Sequence, residues 1–362
     1  MEFSIEKQAF SEALSQICGV VPERCARLIL QNLMLTLNPD DTITLAGTDL
    51  EIGLKITLAV KQARDAGAIL LPASRLNALV KGSLANELRL AAENNLAEIS
   101  AKHGRFQLPG METADYPAIP EIKDDGAIFI HGDDFADAVQ KTVFATAKGD
   151  TRYTLNGIYM NIDGDAAEFV ASDTNRLSYL KKAVRNPDHA KSGGILITKG
   201  MTTLARLAAD SDALQIKFTE NAMLAKTANA EIVIHLVEGI FPRYAEVIPP
   251  KSETSFTVGR EELLLSLQSA GIMSPEEVKG VLFSLSPGRL DLSTSSDHGE
   301  ADIGLDAELS GPEISIKFNY LFLIDVLKNL SDDKVVIQYT DGDKPVRIDS
   351  GDFMYVLMPI NR

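Results

Sequence analysis

The chain has 362 residues and a formal net charge of −16, with 51 acidic against 35 basic side chains. Apolar residues make up 45% and charged residues 24%, with two cysteines and no tryptophan, which excludes a disordered, collagen-like or disulfide-stapled chain. At roughly 100–200 residues per domain this length divides into two or three, and the acidity stands against a protein that grips nucleic acid through an open basic patch.

Glu2-Phe3-Ser4-Ile5 reads as a short strand leading into a helix over 6–17, where Phe10, Ala13, Leu14 and Ile17 recur at helical spacing. A hairpin over 33–49 alternates around Asn38-Pro39-Asp40-Asp41 and ends at Asp49. Residues 69–84 give a second strand and helix, and Asp115-Tyr116-Pro117 closes the set. The same order returns twice. Ile128-Phe129-Ile130 leads into a helix over 133–146, a hairpin spans 159–173 and ends at Asp173, residues 195–210 give strand and helix, and Ile240-Phe241-Pro242 closes. Ser255-Phe256-Thr257-Val258 leads into a helix over 260–273, a hairpin spans 281–297 and ends at Asp297, residues 314–330 give strand and helix, and Leu357-Met358-Pro359 closes. The chain is therefore three copies of about 120 residues, with polar or proline-rich linkers near 121–127 and 248–254. The expected domains are 1–122, 127–250 and 254–362. Each holds two β-α-β-β-β halves in an α+β fold, with antiparallel sheet on one side and helices on the other.

Phosphate-loop, dinucleotide, zinc-protease and nucleophile-elbow motifs are all missing. The five histidines are scattered, with none paired at metal-ligand spacing. Asp163-Gly164-Asp165 and Asp341-Gly342-Asp343 sit between alternating runs, where D-G marks a hairpin turn. Asp49, Asp173 and Asp297 recur at the same place in each copy. A strand-ending aspartate that bonds its own backbone accounts for them. The other reading is a triplicated small-molecule-binding or enzymatic scaffold that uses these aspartates. No apolar run reaches the ~18 residues needed to cross a bilayer. Met1–Lys7 shows no export pattern, and Cys18 and Cys25 are too few for a disulfide framework, so a reducing cytoplasm is the expected location.

Five strings carry a resemblance across the whole chain. They are Gly47-Thr48-Asp49-Leu50-Glu51, Asp150-Thr151-Arg152-Tyr153-Thr154-Leu155-Asn156-Gly157, Ser172-Asp173-Thr174-Asn175-Arg176-Leu177, Gly239-Ile240-Phe241-Pro242-Arg243-Tyr244 and Tyr355-Val356-Leu357-Met358-Pro359. In this order and spacing the sequence resembles the bacterial DNA sliding clamps, the beta subunits of DNA polymerase III. The resemblance implies three tandem copies of the processivity fold, a head-to-tail homodimeric ring, and duplex DNA held without sequence preference. It further implies no catalysis, no cofactor and no metal. Partners implied are the replicative polymerase, a clamp loader and repair proteins, which dock through short linear motifs.

The same resemblance implies site residues. A partner-peptide pocket would draw on Leu155, Ser172, Thr174, Asn175, Arg176, Leu177, Pro242, Val247, Asn319, Phe322, Val356, Met358, Pro359 and Ile360. DNA-facing groups would be Arg24, Arg75, Lys148, Arg152, Tyr153, Lys199, Arg206 and Lys279. The dimer interface would pair Lys102, Arg105, Phe106 and Leu108 with Ile272, Met273, Glu300 and Asp302. The sequence departs from the family pattern at Thr174-Asn175 (commonly Gly-His), at Glu246 (frequently Arg) and in its Ile360-Asn361-Arg362 tail. The segments 69–84, 195–209 and 314–330 carry Arg75, Lys81, Lys199, Arg206, Lys317 and Lys328 against Asp325 alone. The first helices carry Lys7, Lys141 and Arg260 against seven acids, so the basic lining is expected from the second helix of each copy. A ring that encloses DNA can be acidic overall if that lining is locally basic.

Overall fold

The computed structural model describes every residue except 102, 103, 123, 124, 150–152, 210, 298, 361 and 362. The predicted Lys102, Arg152, Asn361 and Arg362 therefore lie outside the described residues.

Six halves of one pattern follow one another. The first repeat runs β1 (Glu2–Glu6), α1 (Lys7–Val20), β2 (Asn32–Leu37), β3 (Thr42–Thr48) and β4 (Ile52–Ala59). After the short β5 (Lys61–Arg64) come β6 (Gly67–Pro72), α2 (Ala73–Gly82), β7 (Glu87–Glu93), β8 (Leu96–Ala101) and β9 (Gly104–Pro109). The middle repeat has β10 (Ile128–Ile130), α3 (Gly132–Val143), β11 (Gly157–Asp163), β12 (Ala166–Ser172) and β13 (Arg176–Ala183). Its second half has β14 (Ser192–Ile197), α4 (Thr198–Ala208), β15 (Leu214–Phe218), β16 (Ala222–Lys226) and β17 (Ala230–Val237). The third repeat has β18 (Ser255–Gly259), α5 (Arg260–Ile272), β19 (Gly280–Ser286), β20 (Arg289–Ser296) and β21 (Gly299–Ser310). It ends with β22 (Ile314–Asn319), α6 (Tyr320–Lys328), β23 (Lys334–Gln338), β24 (Val346–Ser350) and β25 (Phe353–Leu357).

The pairing is antiparallel, and each half gives its first strand to the other half. β1 pairs with β7 while β6 pairs with β2. β10 pairs with β15 while β14 pairs with β11. β18 pairs with β23 while β22 pairs with β19. No half can complete its sheet alone.

Two compact units result, formed by residues 1–136, 184–190 and 199–236, and by residues 137–183, 191–198 and 237–362. In the first unit one sheet runs β6-β2-β3-β4-β17-β16-β15-β10, joined by β4 against β17, and another runs β5-β1-β7-β8-β9. Helix α1 buries Phe10, Ala13, Leu14 and Ile17 and packs on α2, β3 and β4. In the second unit β14-β11-β12-β13 continues through β25-β24-β23-β18, joined by β13 against β25. Strand β21 turns from β20 to β18 and so links the sheets of the third repeat. Phe283 packs edge to face on Phe318 with ring centroids 5.2 Å apart, and Phe256 lies tilted against Phe283 at 6.5 Å.

Helical boundaries correct two charge assignments, the first being Glu6, which ends β1 and is not on α1. Lys317 lies on β22, not on α6. The acids of the first helices also have a local reason. Asp133 and Asp134 occupy the first turn of α3, and Glu261 and Glu262 that of α5, where the helix dipole favours negative charge. Lys81, Arg206 and Lys328 sit in the last turns of α2, α4 and α6, where it favours positive charge.

Strand β14 reaches β11 across a glycine. A Cβ on Gly157 would lie 2.5 Å from the Leu196 carbonyl oxygen and 2.9 Å from Ile195 Cγ2. Gly157→Val should therefore lower stability by about 1–3 kcal/mol, the scale of overpacking. Thermal unfolding followed by circular dichroism checks this, and an unchanged midpoint would count against the strand exchange at this place.

Candidate functional site

The second unit contains a groove of about 350 Å³, and its floor comes from three segments far apart in sequence. Leu155 ends a 3-10 turn, Leu177 lies on β13 and Val356 lies on β25, with Leu177 and Val356 in register across the joined sheets. All three belong to one buried cluster with Val170, Ile195 and Phe241. Ser172, Thr174, Asn175 and Arg176 form one rim, and Pro242, Val247 and Met358 another. Val247 is 58% and Met358 38% exposed, so the rim presents apolar surface to solvent.

The 172–177 rim is held by its own side chains. Asp173 Oδ1 accepts from the Asn175 and Arg176 backbone N–H groups at 3.0 and 3.1 Å. Ser172 Oγ donates to Arg176 O at 2.8 Å and accepts from Thr174 N at 3.2 Å. Thr174 sits at φ +79°, a left-handed conformation uncommon for a β-branched residue. Arg176 anchors the rim from below. Its guanidinium donates to Asp173 at 2.9 Å, to Asp325 at 2.7 Å and to the Phe144 carbonyl at 2.5 Å, and lies 4.2 Å from the Phe322 ring centroid. A buried arginine needs such partners to offset desolvation.

The far wall rests on a half-buried carboxylate. Glu168 accepts hydrogen bonds from Tyr179 and Tyr244 at 2.8 Å each and from Asn161 Nδ2 at 3.1 Å. Burial pushes the Glu168 carboxyl up, but these donors outweigh it and hold it below the ordinary carboxylate value. Burial and the same carboxylate push both phenols well above the usual tyrosine value. Phe241 stacks on Tyr159 at 5.1 Å, which fixes the loop that carries Pro242.

The structure gathers most of the predicted pocket residues here, but not four of them. Phe322 lies beneath Arg176 and lines an adjoining cavity of about 550 Å³. Asn319 caps α6, accepting from Leu321 N at 3.1 Å. Pro359 is buried, and Ile360 N is tied to Lys317 O at 2.7 Å, so the end of the described chain folds back along β22. Phe241, Arg243 and Tyr244 line the groove and were not among the predicted pocket residues. The Phe-Pro-x-Tyr string at 241–244 was the signal available for them.

The predicted DNA-facing groups fall on second helices and on the loops after first helices. Arg75 and Arg206 are exposed on α2 and α4, and Arg24, Lys148 and Lys279 on the loops after α1, α3 and α5. Tyr153 is 64% exposed. Lys199 differs, because its ammonium donates to Asp49 Oδ2 at 2.6 Å and to the Val20 carbonyl at 2.9 Å. Its charge is already balanced within the first unit.

Two strand edges carry the predicted interface residues. On β9, Arg105 and Phe106 are exposed, while Leu108 is 4% exposed and points into the core. Leu108 stands opposite the fully buried Ala97 and is itself covered, so it offers no surface to a partner, whereas Phe106 two residues earlier on the same face remains exposed. On the other edge, Glu300 and Asp302 are exposed on β21, Ile272 is 73% exposed at the end of α5, and Met273 is half-buried.

Asp49 and Asp173 are spent on their turns, since Asp49 Oδ1 likewise accepts from Glu51 N and Ile52 N at 3.0 and 2.8 Å. The described residues contain no group of three or more histidine, cysteine, aspartate or glutamate side chains able to hold a metal ion. The enzymatic reading of the repeated aspartates has no support.

Comparison with known proteins gives one family along the whole chain. The N-terminal, central and C-terminal domains of the DNA polymerase III beta subunit match residues 1–120, 129–243 and 245–361. A beta sliding clamp of Vibrio cholerae is 27% identical, with 99% of this chain and 100% of that protein covered. One of Escherichia coli is 28% identical over the same shares. A crystal structure of a Pseudomonas aeruginosa sliding clamp bound to griselimycin superposes with a TM-score of 0.95 at 27% identity, covering both chains fully.

Glu168→Gln removes the ionised acceptor beneath the groove and should cost about 1–3 kcal/mol near neutral pH. Because the folded carboxyl titrates below its ordinary value of 4.5, its stabilisation is present above that value and is lost as pH falls through the folded value. The variant should therefore show a shallower acid limb in a stability-against-pH profile, and parallel profiles would remove Glu168 from this role.

Proposed function

The chain belongs to the DNA polymerase III beta subunit family and is a DNA sliding clamp, and on that premise we propose how its parts divide the work. A clamp of this family is a non-catalytic processivity factor, a homodimeric ring around duplex DNA that serves the polymerase. The three clamp domains are residues 1–122, 127–250 and 254–362. No described helix is long and apolar enough to cross a membrane, and the chain works in the cytoplasm.

A ring retains DNA by enclosure, so its contacts need only follow the phosphates weakly. Every neutralised phosphate adds salt-dependent affinity and slows sliding. Arg24, Arg75, Lys148, Tyr153, Arg206 and Lys279 are the DNA-facing groups, few and dispersed. The apolar groove is the observation that carries the partner reading: a preformed aliphatic floor with an adaptable methionine on its rim suits short apolar peptides of several sequences. The dimer closes through β9 of one protomer and β21 of its partner. Phe106 meets Ile272 and Met273, and Arg105 faces Glu300 and Asp302. Apolar contact flanked by opposite charge gives a specific interface that can still open.

After loading, the protein should stay on nicked circular DNA and slip off once that DNA is linearised; equal retention on both would sink the clamp reading. Met358→Asp places a charge on the apolar rim and should weaken a short aliphatic peptide at least tenfold, about 1.4 kcal/mol, by fluorescence anisotropy. Arg105→Glu combined with Phe106→Ala should shift the native mass toward a single 39.2 kDa chain at low concentration. An unchanged mass would contradict this edge assignment.

A further inference from the structure

The first unit contains the counterpart of the groove, already filled. Val233 on β17 faces Gly53 on β4, as Val356 on β25 faces Leu177 on β13. The rim turns are alike in detail. Thr48 Oγ1 donates to Ile52 O at 2.8 Å, as Ser172 Oγ does to Arg176 O, and Leu50 sits at φ +77° where Thr174 sits at +79°. Pro117 leads toward one linker and Pro242 toward the other.

The linkers then diverge. After Pro242 the chain makes a 3-10 turn over Tyr244–Glu246, turning Tyr244 aside onto Glu168 and leaving Val247 58% exposed. After Pro117 it crosses the joined strands instead. Ile119 packs against a cluster of Ile122, Ala222, Leu224 and Val233, with Ile122 only 9% exposed. A Cβ on Gly53 would lie 2.9 Å from Ile119 Cγ2, so the glycine is what lets Ile119 seat. Lys55 Nζ stands 3.6 Å from the Glu121 carboxylate and holds the end of the segment.

We propose that residues 118–122 are an intramolecular ligand that occupies a second groove of the same construction, and that an extended aliphatic peptide enters this groove when the segment is displaced. The proposal rests on reading the open groove as a peptide site. It makes the first linker a plug and explains why one groove per chain is open. The ligand class follows from the occupant: two branched aliphatic side chains three residues apart, with an acid between them.

The probe is a labelled synthetic peptide of residues 116–122, Tyr-Pro-Ala-Ile-Pro-Glu-Ile, titrated onto the dimer. Ile119→Ala with Ile122→Ala should add one binding site per chain relative to the unsubstituted protein. Ile119→Asp alone, which expels that side chain from the groove while leaving Gly53, Ile122 and the rest of the cluster in place, should add the same site even if the double variant fails to fold. No added site in either would overturn the plug. Met358→Asp in both backgrounds separates the two readings. Loss of the original site with retention of the added one supports both. An original site unaffected by Met358→Asp, beside an added site, would overturn the open-groove reading and leave the plug standing.

Discussion

Every sheet in this protein is completed by a strand from somewhere else in the chain. β1 lies between β5 and β7, both far along the chain, and β6 reaches back to β2. Loop closure must come before the reward of pairing, so such a fold is cooperative within a repeat and slow to nucleate. The exchange also sets where the chain divides. The two sheets of the middle repeat join β4 on one side and β25 on the other, so the compact units cut across that repeat instead of following the linkers.

The halves are legible in the sequence because local signals repeat: period-2 hairpins, helical spacing after a short strand, and an aspartate every 124 residues. Which strand pairs with which is not legible, since periodicity records a face and not a neighbour. The same limit explains Leu108. In Arg105-Phe106-Gln107-Leu108 the two apolar residues share one face, and only what covers each end of β9 decides that Leu108 is core while Phe106 stays exposed. The partner of Lys199 is hidden from the sequence for a different reason. The lysine suits DNA, but Asp49 lies 150 positions away and neutralises it. Phe241 and Tyr244 escape the pocket prediction because their role is set by Glu168 and Tyr159, partners that no motif records.

The charge balance also becomes local. Acids at the starts of α3 and α5 and bases at the ends of α2, α4 and α6 each satisfy a helix dipole. That arrangement leaves exposed bases on second helices within a chain of net charge −16. One turn design at two places also has two outcomes, and a single side chain decides between them. Gly53 admits the linker, whereas Leu177 fills the same space and leaves the surface above it open.

Thr174 gives that open surface a further property. A β-branched residue at φ +79° costs of order 1–3 kcal/mol, and the Ser172 and Asp173 hydrogen bonds around it hold the turn in place. Glycine there would relax the strain but would also widen the range of shapes open to the loop. With threonine the rim is set before any peptide arrives, so ordering it takes nothing from the binding free energy. Partners should then differ in how long they stay more than in how fast they find the groove, which suits a surface that several proteins must share in turn.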